Sequence, residues 1–142
     1  IAMLGSGSNI IAATVGGGIF ISSDNGDTWT ASNTGIAGGD LNVNLLWKMG
    51  SNVYMYPQGT QGYVSTNDGA SWANWTKPNQ FGGALGGPTG FYRNGTDLFL
   101  RTRHNYFNPV TFSLTTTDSV YQSGNEGSTW TNITSNLPSN LN

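Results

Sequence analysis

Residues 22–29 read SSDNGDTW, residues 65–72 read STNDGASW and residues 123–130 read SGNEGSTW. Each octet opens on Ser (Ser22, Ser65, Ser123), carries Asp or Asn third (Asp24, Asn67, Asn125) and Gly fifth (Gly26, Gly69, Gly127), and closes on Trp29, Trp72 or Trp130. Glycine reaches positive φ at low cost, which a tight reversal needs. The third-position side chain can accept hydrogen bonds from backbone N–H groups of its own turn, and the Ser and Thr hydroxyls can complete a local network. The octet therefore reads as a hairpin turn that ends in a large apolar side chain. Each Trp is expected to pack between neighbouring sheets with its indole N–H on a carbonyl.

The repeat extends outward from the octet. A shift of 43 residues lays Ser22 on Ser65 and also lays Gly7-Ser8-Asn9 on Gly50-Ser51-Asn52; Gly95-Thr96-Asp97 is a third copy of that turn. An aromatic stands two residues before each octet, at Phe20, Tyr63 and Tyr121. From turn glycine to octet serine the separation is 15 residues twice and 28 the third time, so the third copy carries a 13-residue insertion between Arg101 and Ser119. Periods of roughly 40–50 residues built from short strands mark propeller blades. First strands are expected at 1–5, 42–49 and 88–93, second strands at 9–15, 52–57 and 97–103, third strands at 18–22, 61–65 and 119–123. Fourth strands are expected near 28–33, 71–77 and 129–134. No window shows helical periodicity. The fold class is thus all-β: three four-stranded antiparallel meanders, with blade units at about 1–34, 42–78 and 88–135. Propellers have about 4–8 blades, so three units leave each end blade with one bare face. The chain is expected to be an incomplete propeller, completed by remaining blades of a larger chain or by self-association.

Composition sets limits on partners. Only 36% of residues are hydrophobic and 8% charged, yet 12% are aromatic, which argues against disorder. A net charge of −2 without a basic patch excludes nucleic-acid binding. No apolar run approaches the ~20 residues needed to span a bilayer, so no membrane span is expected. Cysteine is absent, and with it disulfide and thiolate chemistry. Low charge and abundant Asn, Thr and Ser suit a secreted or cell-surface bacterial protein.

The octet SSDNGDTW resembles the Asp-box, or bacterial neuraminidase repeat, with the pattern S-x-D-x-G-x-x-W. Sialidases, xyloglucan-cleaving glycosidases, sortilin-type receptors and photosystem assembly factors carry such boxes. Residues 16–29, GGGIFISSDNGDTW, most resemble the long repeat arrays of large secreted Bacteroidetes proteins. The resemblance implies a β-propeller with one box per blade, placed on the outer edge and away from the ligand face. Two octets depart from the pattern, with Asn67 and Asn125 in the Asp position. Calcium loops want several carboxylate oxygens at alternating positions, and the first octet offers only Asp24 and Asp27, so neither a metal nor another cofactor is expected.

The same resemblance implies what a sialidase centre would need: three arginines brought from different blades. Here Arg93, Arg101 and Arg103 all stand in the third unit, and the Arg-Ile-Pro opening of sialidase domains is absent. Other glycosidases need two carboxylates about 5–9.5 Å apart. Outside the octets only Asp40, Asp97 and Asp118 remain; Asp97 repeats a turn position, and Asp40 and Asp118 fall in Gly-rich or Thr-rich loops. No catalytic residue is assigned. Loops that depart from a scaffold concentrate function, and in the insertion Arg101, Arg103, His104, Tyr106 and Phe107 combine cationic donors with aromatic faces suited to glycan or protein contact. The bland alternative is an extended hairpin with its aromatics folded onto the blade. The expected function is a non-catalytic binding or display module. The alternatives are part of a glycoside hydrolase propeller, or an assembly factor or receptor that docks a protein partner.

Overall fold

Three glycines with positive φ open three two-residue hairpins: Gly7 (58°) between Ser6 and Asn9, Gly50 (56°) between Met49 and Asn52, and Gly95 (60°) between Asn94 and Asp97. Gly at the first central position is the type II′ preference, whose backbone twist matches that of the flanking strands. The computed structural model describes residues 2–57, 61–76 and 86–138. Within them the hairpins seed three antiparallel four-stranded sheets, each with its strands in chain order.

Sheet 1 holds β1 (Ala2–Ser6), β2 (Asn9–Thr14), β3 (Gly18–Ser22) and β4 (Thr30–Ala31). Sheet 2 holds β5 (Val43–Met49), β6 (Asn52–Pro57), β7 (Gly62–Ser65) and β8 (Ala73–Trp75), and sheet 3 holds β9 (Gly86–Asn94), β10 (Asp97–Asn108), β11 (Ser113–Ser123) and β12 (Thr131–Asn132). Two 3-10 turns, Gly38–Asp40 and Thr134–Asn136, follow the first and third fourth strands. The fold class is the expected one. Ile1 and Lys77, placed in strands by the sequence, lie outside the described residues, as does the segment 139–142. The chain divides into two compact units, residues 1–77 with sheets 1 and 2, and residues 78–142 with sheet 3. Among the described residues no helix is long and apolar enough to cross a membrane.

Strand register lays equivalent residues in equivalent rows. Met3, Ala12, Phe20 and Ala31 form one row across sheet 1; Leu46, Met55, Tyr63 and Asn74 form the same row in sheet 2. The next row, on the opposite face, is Leu4, Ile11, Ile21 and Thr30 in sheet 1. In unit 1 that second face of sheet 1 meets the first face of sheet 2: Ile11, Ala13 and Ile19 pack with Val53, Met55, Tyr63 and Trp72 in one buried cluster. Each fully buried side chain of the size of Ile or Met contributes about 1.5–3 kcal/mol. Two glycines let the sheets approach. A Cβ on Gly35 (φ +91°) would lie 1.8 Å from Trp72 O, and one on Gly69 (φ +86°) would lie 2.7 Å from Ile11 Cδ1.

The insertion of the third unit is an extension of the β10–β11 hairpin. These strands run past their expected limits, 97–103 and 119–123, to the closing pair Asn108–Ser113. Asn108 Oδ1 accepts the N–H groups of Val110 (2.9 Å) and Thr111 (3.2 Å), which bends the chain back, and Phe112 completes the reversal at φ 51°. Among the described residues β9 accompanies β10 as far as His104, and β12 pairs with Tyr121 and Gln122.

Candidate functional site

All three octets close by one network. The Ser22, Ser65 and Ser123 hydroxyls accept the N–H of the octet glycine at 2.8, 2.9 and 2.9 Å, and donate to Oδ1 of Asp24, Asn67 and Asn125 at 2.7, 2.9 and 2.9 Å. The same Oδ1 accepts the N–H of Thr28, Ser71 or Thr129. The remaining contact reverses direction. Thr28 Oγ1 donates to Asp24 Oδ2 (2.5 Å), whereas Asn67 Nδ2 and Asn125 Nδ2 donate to the hydroxyls of Ser71 and Thr129 at 2.9 and 2.8 Å. A hydroxyl can either donate or accept a hydrogen bond, so Asp and Asn serve one geometry. The Thr28 hydroxyl, helped by the Thr28 N–H and the Ser22 hydroxyl, lowers the Asp24 pKa to about 2.

One property of the octet had gone unread in the sequence. Its fourth residue also has positive φ: Asn25 (60°), Asp68 (53°) and Glu126 (53°), each followed by a positive-φ glycine. With an i→i+3 backbone bond from Asp27, Ala70 or Ser128, these are type I′ turns. The Asn-Gly and Asp-Gly pairs were the available signal. Trp72 behaves as expected, 5% exposed, with Nε1 donating to Ser32 O at 3.0 Å. Trp29 does not: it is 39% exposed and donates instead to Gly26 O of its own turn at 3.1 Å. Trp130 is half-buried.

The carboxylates outside the octets hold structural partners. Asp40 accepts the Tyr63 hydroxyl (2.5 Å), which itself accepts the Ala37 N–H, and Asp97 accepts Gln122 Nε2 (3.1 Å). Burial, followed by the Asp40 contact, raises the Tyr63 pKa. Asp118 lies in β11 rather than in a loop, directly opposite Arg103. Its Oδ1 accepts Arg103 Nε (2.9 Å), and its Oδ2 accepts Arg103 Nη2 (3.0 Å) and Arg101 Nη2. The hydrogen bonds of Arg103, then those of Arg101, hold this carboxyl well below the usual range.

The five candidate ligand residues do not converge. Successive side chains of a strand point to opposite faces, so Arg101, Arg103 and Phe107 share one face of β10 while His104 and Tyr106 share the other. Burial follows: Leu98, Leu100 and Thr102 are buried on the His104 face, and the arginines are exposed on theirs. His104 Nε2 is itself buried without a hydrogen-bond partner. Tyr106, Phe107 and Phe112 are exposed, Phe107 and Phe112 meeting edge-on at 6.2 Å. The extended hairpin is there, but its aromatics are not folded onto the sheet.

The arginine face gains two residues the sequence reading missed. Tyr92, 66% exposed, and Phe99 stand with ring centroids 6.4 Å apart. With Gly90, Phe91, Arg101 and Val120 they line a shallow cavity of about 240 Å³. The signal lay in the repeat: where the buried face of sheet 1 carries Leu4, Ile11, Ala13 and Ile21, sheet 3 carries Tyr92, Phe99, Arg101 and Gln122. The alignment carries weight only once the covered face of sheet 1 is known, since a strand's two faces are not told apart by its own sequence. No protein-family model matches the chain, and no curated protein matches it.

Proposed function

We propose that the chain is built of Asp-box propeller blades and acts as a non-catalytic binding module of a secreted or cell-surface protein, with a glycan as ligand on the open face of sheet 3. The observation that carries this reading is the replacement, at matched positions, of the aliphatic residues of sheet 1 by Tyr92, Phe99, Arg101 and Gln122. A sugar ring has apolar C–H faces and a rim of hydroxyls. The exposed Tyr92 ring offers the first a flat apolar surface, and the Arg101–Asp118–Arg103 set offers the second a fixed array of donors and acceptors. Because one carboxylate already holds both guanidinium groups, less side-chain freedom is lost on binding. The cavity of about 240 Å³ suits one sugar ring at a surface rather than an enclosed ligand.

The recurrence of one octet network with either Asp or Asn supports the Asp-box reading, and the structural engagement of Asp40, Asp97 and Asp118 supports the non-catalytic one. Titration calorimetry on sugars selected from a glycan array tests the proposal. Tyr92→Ala and Arg101→Ala are each expected to weaken binding at least about tenfold, or ~1.4 kcal/mol. Tyr106→Ala, on the opposite face, should leave affinity unchanged. Absence of glycan binding, or equal sensitivity to all three variants, overturns the reading. Sugar release that disappears in Asp118→Asn would turn it toward a glycoside hydrolase.

A further inference from the structure

The chain holds two Asn-Gly pairs, Asn25-Gly26 in the first octet and Asn94-Gly95 in the turn between β9 and β10. An asparagine side chain is open to attack at Cγ by the backbone nitrogen of the residue that follows it. Glycine in that place obstructs the approach least, because it has no Cβ and the freest backbone. Both asparagines are exposed to water. The pairs differ at the nitrogen that must attack. The Gly26 N–H donates to the buried Ser22 hydroxyl at 2.8 Å, and that hydroxyl in turn donates to Asp24 at 2.7 Å. The Gly95 N–H has no hydrogen-bond partner among the described residues. Gly95 also stands in open space, with nothing within 4 Å of where its Cβ would lie.

We infer that Asn94 is a site of spontaneous covalent modification, at which water converts the side-chain carboxamide to a carboxylate through a cyclic imide. The Gly95 nitrogen gives up its proton and bonds to Asn94 Cγ, and the Cγ–Nδ2 bond breaks with release of ammonia. Water then opens the ring at either carbonyl. Opening at Cγ leaves aspartate in the original chain; opening at the backbone carbonyl carbon leaves isoaspartate, with the main chain running through Cγ. At Asn25 the first step would require breaking the bond to Ser22 and opening the octet network, so the fold shields one pair and presents the other. Either product places a carboxylate at the residue directly opposite Asp97 in the strand register, where like charges destabilise. Isoaspartate also lengthens the main chain at a two-residue loop whose geometry is narrowly set. The expected consequence is a loosening of the β9–β10 hairpin at its closed end, beside the ion pair of Arg93 with Glu126. This chemistry belongs to one turn and holds whether or not sheet 3 binds a glycan.

Incubation of the purified chain in mildly alkaline buffer, followed by peptide mass spectrometry, tests this. The peptide that carries Asn94 is expected to gain about 1 Da, as amide becomes acid, and to separate into aspartyl and isoaspartyl forms. Asn25 in the same folded sample is expected to convert several-fold more slowly. In strong denaturant, where neither turn survives, the two pairs should convert at similar rates. Ser22→Ala frees the Gly26 N–H and should bring Asn25 toward the rate of Asn94, with circular dichroism to show that the sheets remain. If that variant unfolds, the comparison of wild type with and without denaturant decides alone. Equal rates at the two pairs in the folded chain overturn the inference. So does a difference that persists in denaturant, because flanking residues rather than the fold would then set it. An Asn25 rate unmoved by Ser22→Ala in a folded chain overturns it as well.

Discussion

Ser65 shows what a single octet residue contributes. Its buried hydroxyl accepts the Gly69 N–H and donates to Asn67, so Ser65→Ala leaves a buried N–H without its partner. The expected cost is about 1–3 kcal/mol, read as a lower urea midpoint at unchanged slope. Asp24 differs from its two Asn counterparts in that it titrates. Its folded pKa of about 2 lies below the ordinary 3.8, so its contribution is fully present above the ordinary value and is lost as pH falls through about 2. Asn at this position keeps the same partners, with the hydroxyl bond reversed and no proton equilibrium, as Asn125 does with Thr129. Thermal melts of wild type and Asp24→Asn are therefore expected to agree near neutral pH. On acidification between about pH 4 and 2 the wild type should lose more. A constant difference across that range would contradict the assignment.

Each strand hairpin is specified by its turn, and the β10–β11 extension by a turn whose signal is weaker. Gly-Ser and Gly-Thr at the II′ turns and Asn-Gly or Asp-Gly in two of the octets are strong local signals, so strand order and most strand limits were legible. The run from Asn105 to Thr116 was harder to read. It leaves Tyr106, Phe107, Val110, Phe112 and Leu114 exposed, lacks a buried face, and reverses at Pro109–Phe112 with a phenylalanine at positive φ. Its strands pair with each other in register from Asn105–Thr116 to Asn108–Ser113. Replacement of Asn105–Thr116 by Asn-Gly, which joins the opposed His104 and Thr117 by a I′ turn, is expected to leave the melting temperature and the glycan affinity unchanged. Loss of affinity in that variant, by calorimetry, would place the ligand on the hairpin tip instead of at Tyr92 and Arg101.

At the scale of the whole molecule, repeat equivalence tells which differences between units matter. Sheets 1 and 2 pack through Ile11, Ile19, Met55 and Trp72, and Gly35 admits the Trp72 carbonyl where any Cβ would collide with it. Gly35→Ala combines that collision with a strained φ and is expected to cost at least about 2 kcal/mol in denaturant unfolding. Trp72→Ala should cost about 3–5 kcal/mol, and Trp29→Ala much less, because the same residue type occupies a buried and an open position. The amino-acid sequence by itself determined the features that act within eight or ten residues: the turns, the octet network, the four-strand period and the count of three units. Those rest on φ preferences and on hydrogen bonds between near neighbours. Only the tertiary structure decided which face of each sheet is covered, and with it that Tyr92, Phe99, Arg101 and Asp118 share an open face while His104 lies on the other. The two faces of an alternating strand are not told apart until register across distant strands and the approach of a neighbouring sheet bury one of them.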